Sequence, residues 1–286
     1  AFGHDGCMAF DMHFHSEYSY DALSHIDDVL AKARRFGFGV AITDHNEIRG
    51  NVRALNVNNG VPIIPGIEVT TREGSHLLFY FYQKEGLVSF FEAEVKPYKP
   101  SNPFFIQRSF TELLEASQEY DCVRVAPHPF AAGATGIKKH DISEDTEDHF
   151  HSIEVVNGYN TRTMNNKAIR WQEDVGKGIT GGSDGHTTHE LGNVLTCAEA
   201  ADIRSFLDCV AAGTTWVVGI EENLFKKALI GIMKEETYVS KAHHERKALL
   251  LLESQFTQEV NYLRNSIRHH AGSILDAYRR FHPPHD

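Results

Sequence analysis

Phe10-Asp11-Met12-His13-Phe14-His15 reads as a short apolar strand carrying two histidines two positions apart. On a β-strand, residues i and i+2 point to one face, so His13 and His15 present their imidazoles side by side. Neutral imidazole is the commonest protein metal ligand, which makes the pair half of a metal site. An HxH pair alone is a weak motif, equally compatible with two partly exposed strand histidines. What lies downstream changes its meaning.

A helix is predicted after this strand. Ser24 is its expected N-cap, Asp27 and Asp28 lie in its first turn, and Gly37 is its stop. Phe38 to Thr43 reads as a buried strand ending in Asp44-His45, followed by a short polar helix through Val52 and Leu55. Val61 to Glu68 and His76 to Tyr82 are the third and fourth predicted strands, and 85–108 reads as loop with some helix. Ser109 and Glu112 have capping-box spacing and open a helix through Tyr120. Cys122 to Ala126 is the fifth strand, closed by Pro127-His128-Pro129. Residues 131–149 are Gly-rich and then acidic, and read as a mobile loop. Ser152 to Val156 and Gly178 to Gly182 are the sixth and seventh strands, with a helix near Asn165 to Asp174 between them. A helix at Ala198 to Ala212 and a short strand at Thr214 to Val218 complete the pattern. Strands alternating with helices at this spacing predict an α/β fold with a parallel sheet, and seven or eight such units favour a barrel.

Composition narrows the class. The 286 residues are 41% hydrophobic and 23% charged, ordinary for a globular protein, and no apolar run is long enough for a membrane span. Four scattered cysteines, Cys7, Cys122, Cys197 and Cys209, form no CxxC pair and point to a reducing cytoplasm. The chain opens at Ala1 without a signal-peptide pattern, and Met8 is an alternative native start. A net charge of −11 argues against a nucleic-acid partner. From Asn223 onward the balance reverses, with 10 Lys+Arg against 7 Asp+Glu. There Leu249, Leu252, Phe256, Val260, Leu263, Ile267, Ala271, Ile274, Tyr278 and Phe281 recur every three or four residues, which predicts one long amphipathic helix. A shorter helix begins at Phe225, Leu229 and Ile232. The segment 223–286 is expected to be a helical hairpin on the barrel, with a homo-oligomer contact as the alternative.

In parallel barrels, chemistry sits where strands end. The groups at or beside those ends are His13, His15, Asp21, His45, Glu68, His128, Asp184 and His186, with His76 nearby. Asp184-x-His186 repeats the i, i+2 spacing of the opening pair. Mixed imidazole and carboxylate donors suit Zn, Mn or Fe better than Mg or Ca. One catalytic zinc uses three protein ligands, so nine candidates argue for two or three ions.

At this point the motifs D-M-H-F-H-S-E-Y-S-Y-D, A-I-T-D-H, G-I-E-V-T, H-L-L, A-P-H-P-F and S-D-G-H, standing in this order, resemble the polymerase and histidinol phosphatase (PHP) family. The resemblance covers residues 8 to about 220 and implies a distorted seven-stranded TIM-like (β/α) barrel over 8–222. It further implies a trinuclear metal cluster. Carried over by position, His13, His15 and Asp184 hold one ion, and Glu68 bridges two. His76 and His128 hold the second, while Asp21, His45 and His186 hold the third. Glu68, Asp184 and His186 are the expected catalytic positions. Two features depart from the family pattern. The residue at Asp21 is often His in relatives, and His76 opens a predicted strand where the other ligands close theirs.

The expected activity is metal-dependent hydrolysis of a phosphate ester, with a phosphorylated small molecule or inorganic phosphate as partner. Asp11 and Asp44 are candidate supports for the ligand imidazoles. Arg72, Lys138, Lys139 and Arg162 are candidate phosphate-binding cations. A nuclease of the same family, an amidohydrolase-like C–N hydrolase and a non-catalytic metal-binding module are the alternatives. Glu68 stands where amidohydrolases typically place a modified Lys.

Overall fold

The computed structural model describes residues 6–57, 60–101, 104–131, 135–139 and 144–219. The predicted helices of the 223–286 segment lie outside the described residues.

Nine strands among the described residues form one sheet in the order β7-β6-β5-β4-β3-β2-β1-β8-β9. They are β1 (Cys7–Phe14), β2 (Gly39–Ile42), β3 (Ile63–Thr70), β4 (His76–Phe81), β5 (Cys122–Ala126), β6 (Ser152–Asn157), β7 (Gly178–Gly182), β8 (Val194–Glu199) and β9 (Trp216–Gly219). The helices are α1 (Ile26–Phe36), α2 (Arg49–Asn56), α3 (Lys84–Phe90), α4 (Phe110–Ala116), α5 (Glu144–Asp148), α6 (Arg162–Val175) and α7 (Ile203–Ala212). The sheet curls into a nearly closed, distorted TIM-like barrel. Its seam is drawn shut where Asp184 N–H donates to His13 O at 2.7 Å and His15 N–H to Gly185 O at 2.9 Å. Lower down, the Thr196 hydroxyl of β8 bonds both N and O of Gly181 at 2.8 Å.

The sheet is not uniformly parallel. β4 runs antiparallel to β3 and β5, and β8 runs antiparallel to β1 and β9. The reason for β4 is local: Thr71 to Ser75 is a tight turn, with Gly74 at φ +91° and Thr71 N–H on Ser75 O at 2.9 Å. No crossover helix fits in so short a link. β8 runs into the segment read as helix: Val194–Glu199 is strand, overlapping the expected helix at Ala198 and Glu199, and α7 begins only after Asp202, whose carboxylate accepts from Ser205 N–H in a capping box. Ser24 does not cap α1. His25 stands at the N-cap, and the Glu17 carboxylate accepts from Ile26 N–H at 3.4 Å. Gly37 ends α1 in the left-handed conformation, and Ser109 and Glu112 form the predicted capping box. The 85–108 stretch is more helical than expected, since α3 continues through a π-helical turn (Phe91–Val95) and a 3-10 turn (Lys96–Tyr98).

Alternation sorts side chains into an inner and an outer core. Met12, Ala41, Ile64, Leu78, Tyr80, Val123 and Val125 fill the barrel, and Phe206, Leu207 and Val210 of α7 plug its base. Phe14, Val40 and Ile42 pack outward on α1. β1 changes parity on the way. Asp11 pairs with Val40 but Phe14 with Ile42, so β1 carries one extra residue. This bulge puts Phe10 and Met12 inside below it and His13 and His15 inside above it. The Tyr80 hydroxyl donates to Met12 O at the bulge.

All four cysteines are free. Cys122 and Cys197 are buried, whereas Cys7 and Cys209 are half-buried. No helix among the described residues is long and apolar enough to cross a membrane.

Candidate metal centre

The structure brings all nine sequence candidates to one end of the barrel. His13 and His15 rise from the end of β1, Glu68 from β3, and His45, His128, Asp184 and His186 from the links after β2, β5 and β7. Asp21 comes from the loop before α1. His76 opens β4, and because β4 is antiparallel, its first residue lies at the rim where the parallel strands finish. Strand polarity thus accounts for the one ligand position that departed from the strand-end pattern.

The donor atoms converge in overlapping groups. His13 Nε2, His15 Nε2 and Asp184 Oδ1 lie 3.2–3.5 Å apart, with Glu68 Oε2 3.3 and 3.4 Å from the two imidazoles. Glu68 Oε1 lies 2.9 Å from His76 Nδ1 and 3.0 Å from His128 Nε2, which are 3.3 Å from each other. Asp21 Oδ2 is 2.7 Å from His186 Nε2 and 3.5 Å from His45 Nε2. His15 stands with this third group as well as the first, and His45 Nδ1 turns back to Glu68 Oε2 at 3.0 Å. The groups are therefore less separate than a three-way partition implies.

This donor set fits divalent cations. Within each group the ligand atoms lie within 4.8 Å of one another, and two ligands of a tetrahedral ion at bond lengths near 2.0 Å stand about 3.3 Å apart. Two imidazole nitrogens facing at 3.3 Å need a shared proton or a shared cation. The Nδ1 of His13 is already engaged by Glu154 at 3.0 Å, which leaves Nε2 as a lone pair. Burial works to lift the Glu68 carboxyl, but His76, His13 and His45 beside it hold it well below the ordinary range. Burial also opposes ionisation of Asp184, and His13, His15 and His186 overcome it. Burial, with His186 and His45 adding to it, takes His15 down to about 3, and burial takes His76 down to about 4. Ionised carboxylate and neutral imidazole are the forms that ligate cations.

The backbone is strained here. Among the described residues, the non-glycine positions with positive φ are Asn46 (+53°), His128 (+25°) and Asp184 (+50°). Two are candidate ligands and the third follows His45. Strained conformations persist where surrounding contacts over-determine them.

Asp11 and Asp44 do not support the imidazoles. Asp11 accepts backbone N–H groups of Ser183 and Gly192, at 2.9 and 2.8 Å, and stitches β1 to the loops after β7. Asp44 holds Ser16 through its N–H at 2.6 Å and its hydroxyl at 2.7 Å. Burial raises these carboxyls, to about 6 for Asp11 and about 7 for Asp44. The support comes instead from Glu154, Asn157 and Glu190, which sequence reading passed over. Glu154 meets His13, Asn157 meets Asp184, and Glu190 accepts the His186 N–H at 2.9 Å. A Glu within the otherwise apolar run Ile153 to Val156 was the available signal. Of the candidate phosphate cations, Arg72 pairs with Glu73, and Lys138 pairs with Glu147 and lies over the Trp171 ring. Arg162 opens α6, and the Lys139 side chain lies outside the described residues.

The chain and its fold are similar to known proteins. The PHP domain model matches residues 11–130 and the PHP-associated model residues 162–215. The uncharacterized protein MJ1587 of Methanocaldococcus jannaschii is 29% identical over 167 residues, 53% of this chain and 83% of that protein. A two-domain protein from Bacteroides vulgatus, containing a predicted PHP-like metal-dependent phosphoesterase, superposes with a TM-score of 0.58 at 18% identity over 76% of this chain and 66% of that one. The lesion-specific endonuclease PfuEndoQ of Pyrococcus furiosus gives 0.59 at 17% identity, over 74% of this chain and 57% of its own. At these identities the likeness is one of fold. The PHP domain model and the PHP-associated model fall on the stretches that carry the ordered motifs, and across both the chain resembles the PHP domain family.

Proposed function

We propose that the chain is a metal-dependent phosphoesterase that hydrolyses phosphate esters at a centre of two or three divalent ions held by His13, His15, Asp21, His45, Glu68, His76, His128, Asp184 and His186. The observation that carries this reading is Glu68. It is buried at 1% exposure, and its two oxygens face different imidazole sets, His76 and His128 on one side and His13, His15 and His45 on the other. A carboxylate so placed links neighbouring cation sites.

Ions bound there would polarise phosphoryl oxygens and acidify an attacking water. The chain's own residues do the rest. Asp184 is the most exposed of the nine, with 13% of its side chain open, so substrate reaches the centre on its side. His186 is fixed between the Asp184 carbonyl, 2.8 Å from Nδ1, and Asp21, 2.7 Å from Nε2. Tyr20 stacks on His45 at 4.9 Å and shields that imidazole from water. A groove of about 910 Å³, lined by Tyr18, Glu47, Arg49, Phe91, Lys96 and Lys99 among others, opens beside the loops that carry Asp21 and His45. None of the nine candidate ligands lines it.

The nuclease reading has one observation in its favour, the endonuclease that shares the fold. The 52 positions separating His76 from His128 leave little room for an added nucleic-acid domain. Metal-free protein assayed on p-nitrophenyl phosphate, nucleotides, sugar phosphates and short DNA and RNA tests both. Activity restored by Mn or Zn on monoesters supports the phosphatase, and cleavage confined to polynucleotides supports the nuclease. Fully metallated protein inert on every phosphoester overturns the proposal.

A further inference from the structure

Strand β6 offers none of the nine candidate ligands, yet two of its side chains touch three of them. Glu154 Oε1 lies 3.0 Å from His13 Nδ1, and Oε2 accepts the His128 N–H at 2.7 Å and the Asn157 side-chain amide at 2.9 Å. The same Asn157 Nδ2 reaches Asp184 Oδ2 at 3.1 Å. Asn157 Oδ1 accepts the N–H groups of Tyr159 and Asn160, each at 3.0 Å. Both side chains are buried and every polar atom on them has a partner. A bulge sets this up. Glu154 pairs with Thr180 and Val156 with Gly181, so β6 carries an extra residue there. Ile153, Val155 and Val156 all pack on the outer core. Glu154 and Asn157, three positions apart, therefore face the centre together.

We propose that Glu154 and Asn157 form a brace that holds His13 in its Nδ1–H tautomer, with Nε2 aimed at a cation, and at the same time sets the His128 backbone and the Asp184 carboxylate. These are positioning residues and would not touch substrate. The inference rests on the metal-binding part of the proposed function and is independent of the substrate.

Hydrogen-bond accounting makes the choice of residues specific. Glu154 faces three donors, His13 Nδ1–H, His128 N–H and the Asn157 amide, and a carboxylate offers only acceptors. Glutamine at 154 would have one acceptor oxygen. If that oxygen kept His13, its amide hydrogens would face two other donors. If it turned round, its amide would donate to His13 Nδ1, driving the ring proton to Nε2 and against the cation site. Aspartate at 157 would set a third carboxylate between Glu154 and Asp184. The brace also contacts both strained ligand positions, His128 by its N–H and Asp184 by its carboxylate.

The test uses the full chain, titrated with Mn(II) by calorimetry, and zinc-loaded protein with ¹⁵N-labelled histidine for NMR. Glu154→Gln is expected to lose about 10–100-fold in Mn(II) affinity, the range for partners of ligand groups. It should also lose the protonated-Nδ1 signature of His13 that the parent displays. Asn157→Ala removes the Asp184 and Glu154 contacts and also takes the acceptor from the Tyr159 and Asn160 N–H groups; it is expected to weaken Mn(II) at least about 10-fold, and it carries the test if Glu154→Gln does not fold. Parent-like affinity in the folded variants, or an unchanged His13 signature in Glu154→Gln, overturns the brace alone. A parent protein that binds no Mn(II) or Zn(II) overturns the metal reading and the brace with it.

Discussion

Gly182, at the end of β7, packs directly against His13 of β1, and replacing it with alanine gives a direct test of barrel closure. A Cβ there would lie 2.4 Å from His13 Cβ, 2.5 Å from His13 N and 2.9 Å from His13 Cα. Two of these are backbone atoms, so no rotamer change relieves the clash. Carbon contacts want about 3.5 Å, so β7 must retreat by roughly 1 Å. That retreat breaks the Asp184 N–H to His13 O bond, now 2.7 Å, and the Ser183 N–H to Asp11 bond, now 2.9 Å. Overpacking costs about 1–3 kcal/mol and each lost bond about 0.5–1.5 kcal/mol, for a total of about 4 kcal/mol. At about 2–4 °C per kcal/mol for a domain of this size, Tm falls by roughly 8–16 °C. Thermal unfolding by circular dichroism in chelator reads the effect without metal linkage. Gly86→Ala is the control. It lies within α3, its new Cβ meets nothing closer than 3.4 Å, and helix propensity favours it by about 1 kcal/mol. A Gly182→Ala protein melting within about 3 °C of the parent would refute the closure argument.

Three further outcomes are expected. Glu68→Gln should weaken Mn or Zn affinity by more than the roughly 10–100-fold typical of losing an outer partner, so that metal content by elemental analysis after dialysis falls and phosphoesterase activity with it; full metal content would contradict a bridging Glu68. Metal removal should lower Tm, since a cation at about 1,000 times its Kd stabilises by about 4 kcal/mol; identical melts with and without chelator count against buried cation sites. His151 is held at about 4, first by burial and then by Arg124. Its folded pKa is depressed, so the stability it contributes is present above its unfolded value near 6.5 and is lost as pH falls toward 4. His151→Asn keeps an acceptor for the Arg124 N–H, 3.0 Å from Nδ1 in the parent, and should flatten that slope in metal-free urea titrations; an unchanged slope rejects the assignment.

Much of the architecture was legible in the residues. Hydrophobic runs of four to eight separated by helical spacing place β1 to β7 in order, and Gly37 and the Ser109–Glu112 capping box mark helix ends where the structure has them. The helix predicted from Ala198 overran β8. A short apolar run such as Val194 to Ala198 fits either element until its neighbour, here Cys7 to Phe10 of β1, is known. Support for the ligands was sought at Asp11 and Asp44 because they adjoin His13 and His45 in sequence. Side chains that brace one another across a barrel need no such proximity: Glu154 is 141 positions from His13.

The sequence by itself determined the chemistry, an ordered set of imidazoles and carboxylates at strand ends, because local spacing decides which side chains share a strand face. Only the tertiary structure decided how they meet. The antiparallel run of β4 carries His76 to the ligand rim. One extra residue in β1 turns His13 and His15 inward although Phe10 and Met12 below them already face inside, and one in β6 turns Glu154 and Asn157 together. Strand polarity and bulges are set by which strands pair and in what register, and pairing is a property of the closed sheet that no single stretch of chain contains.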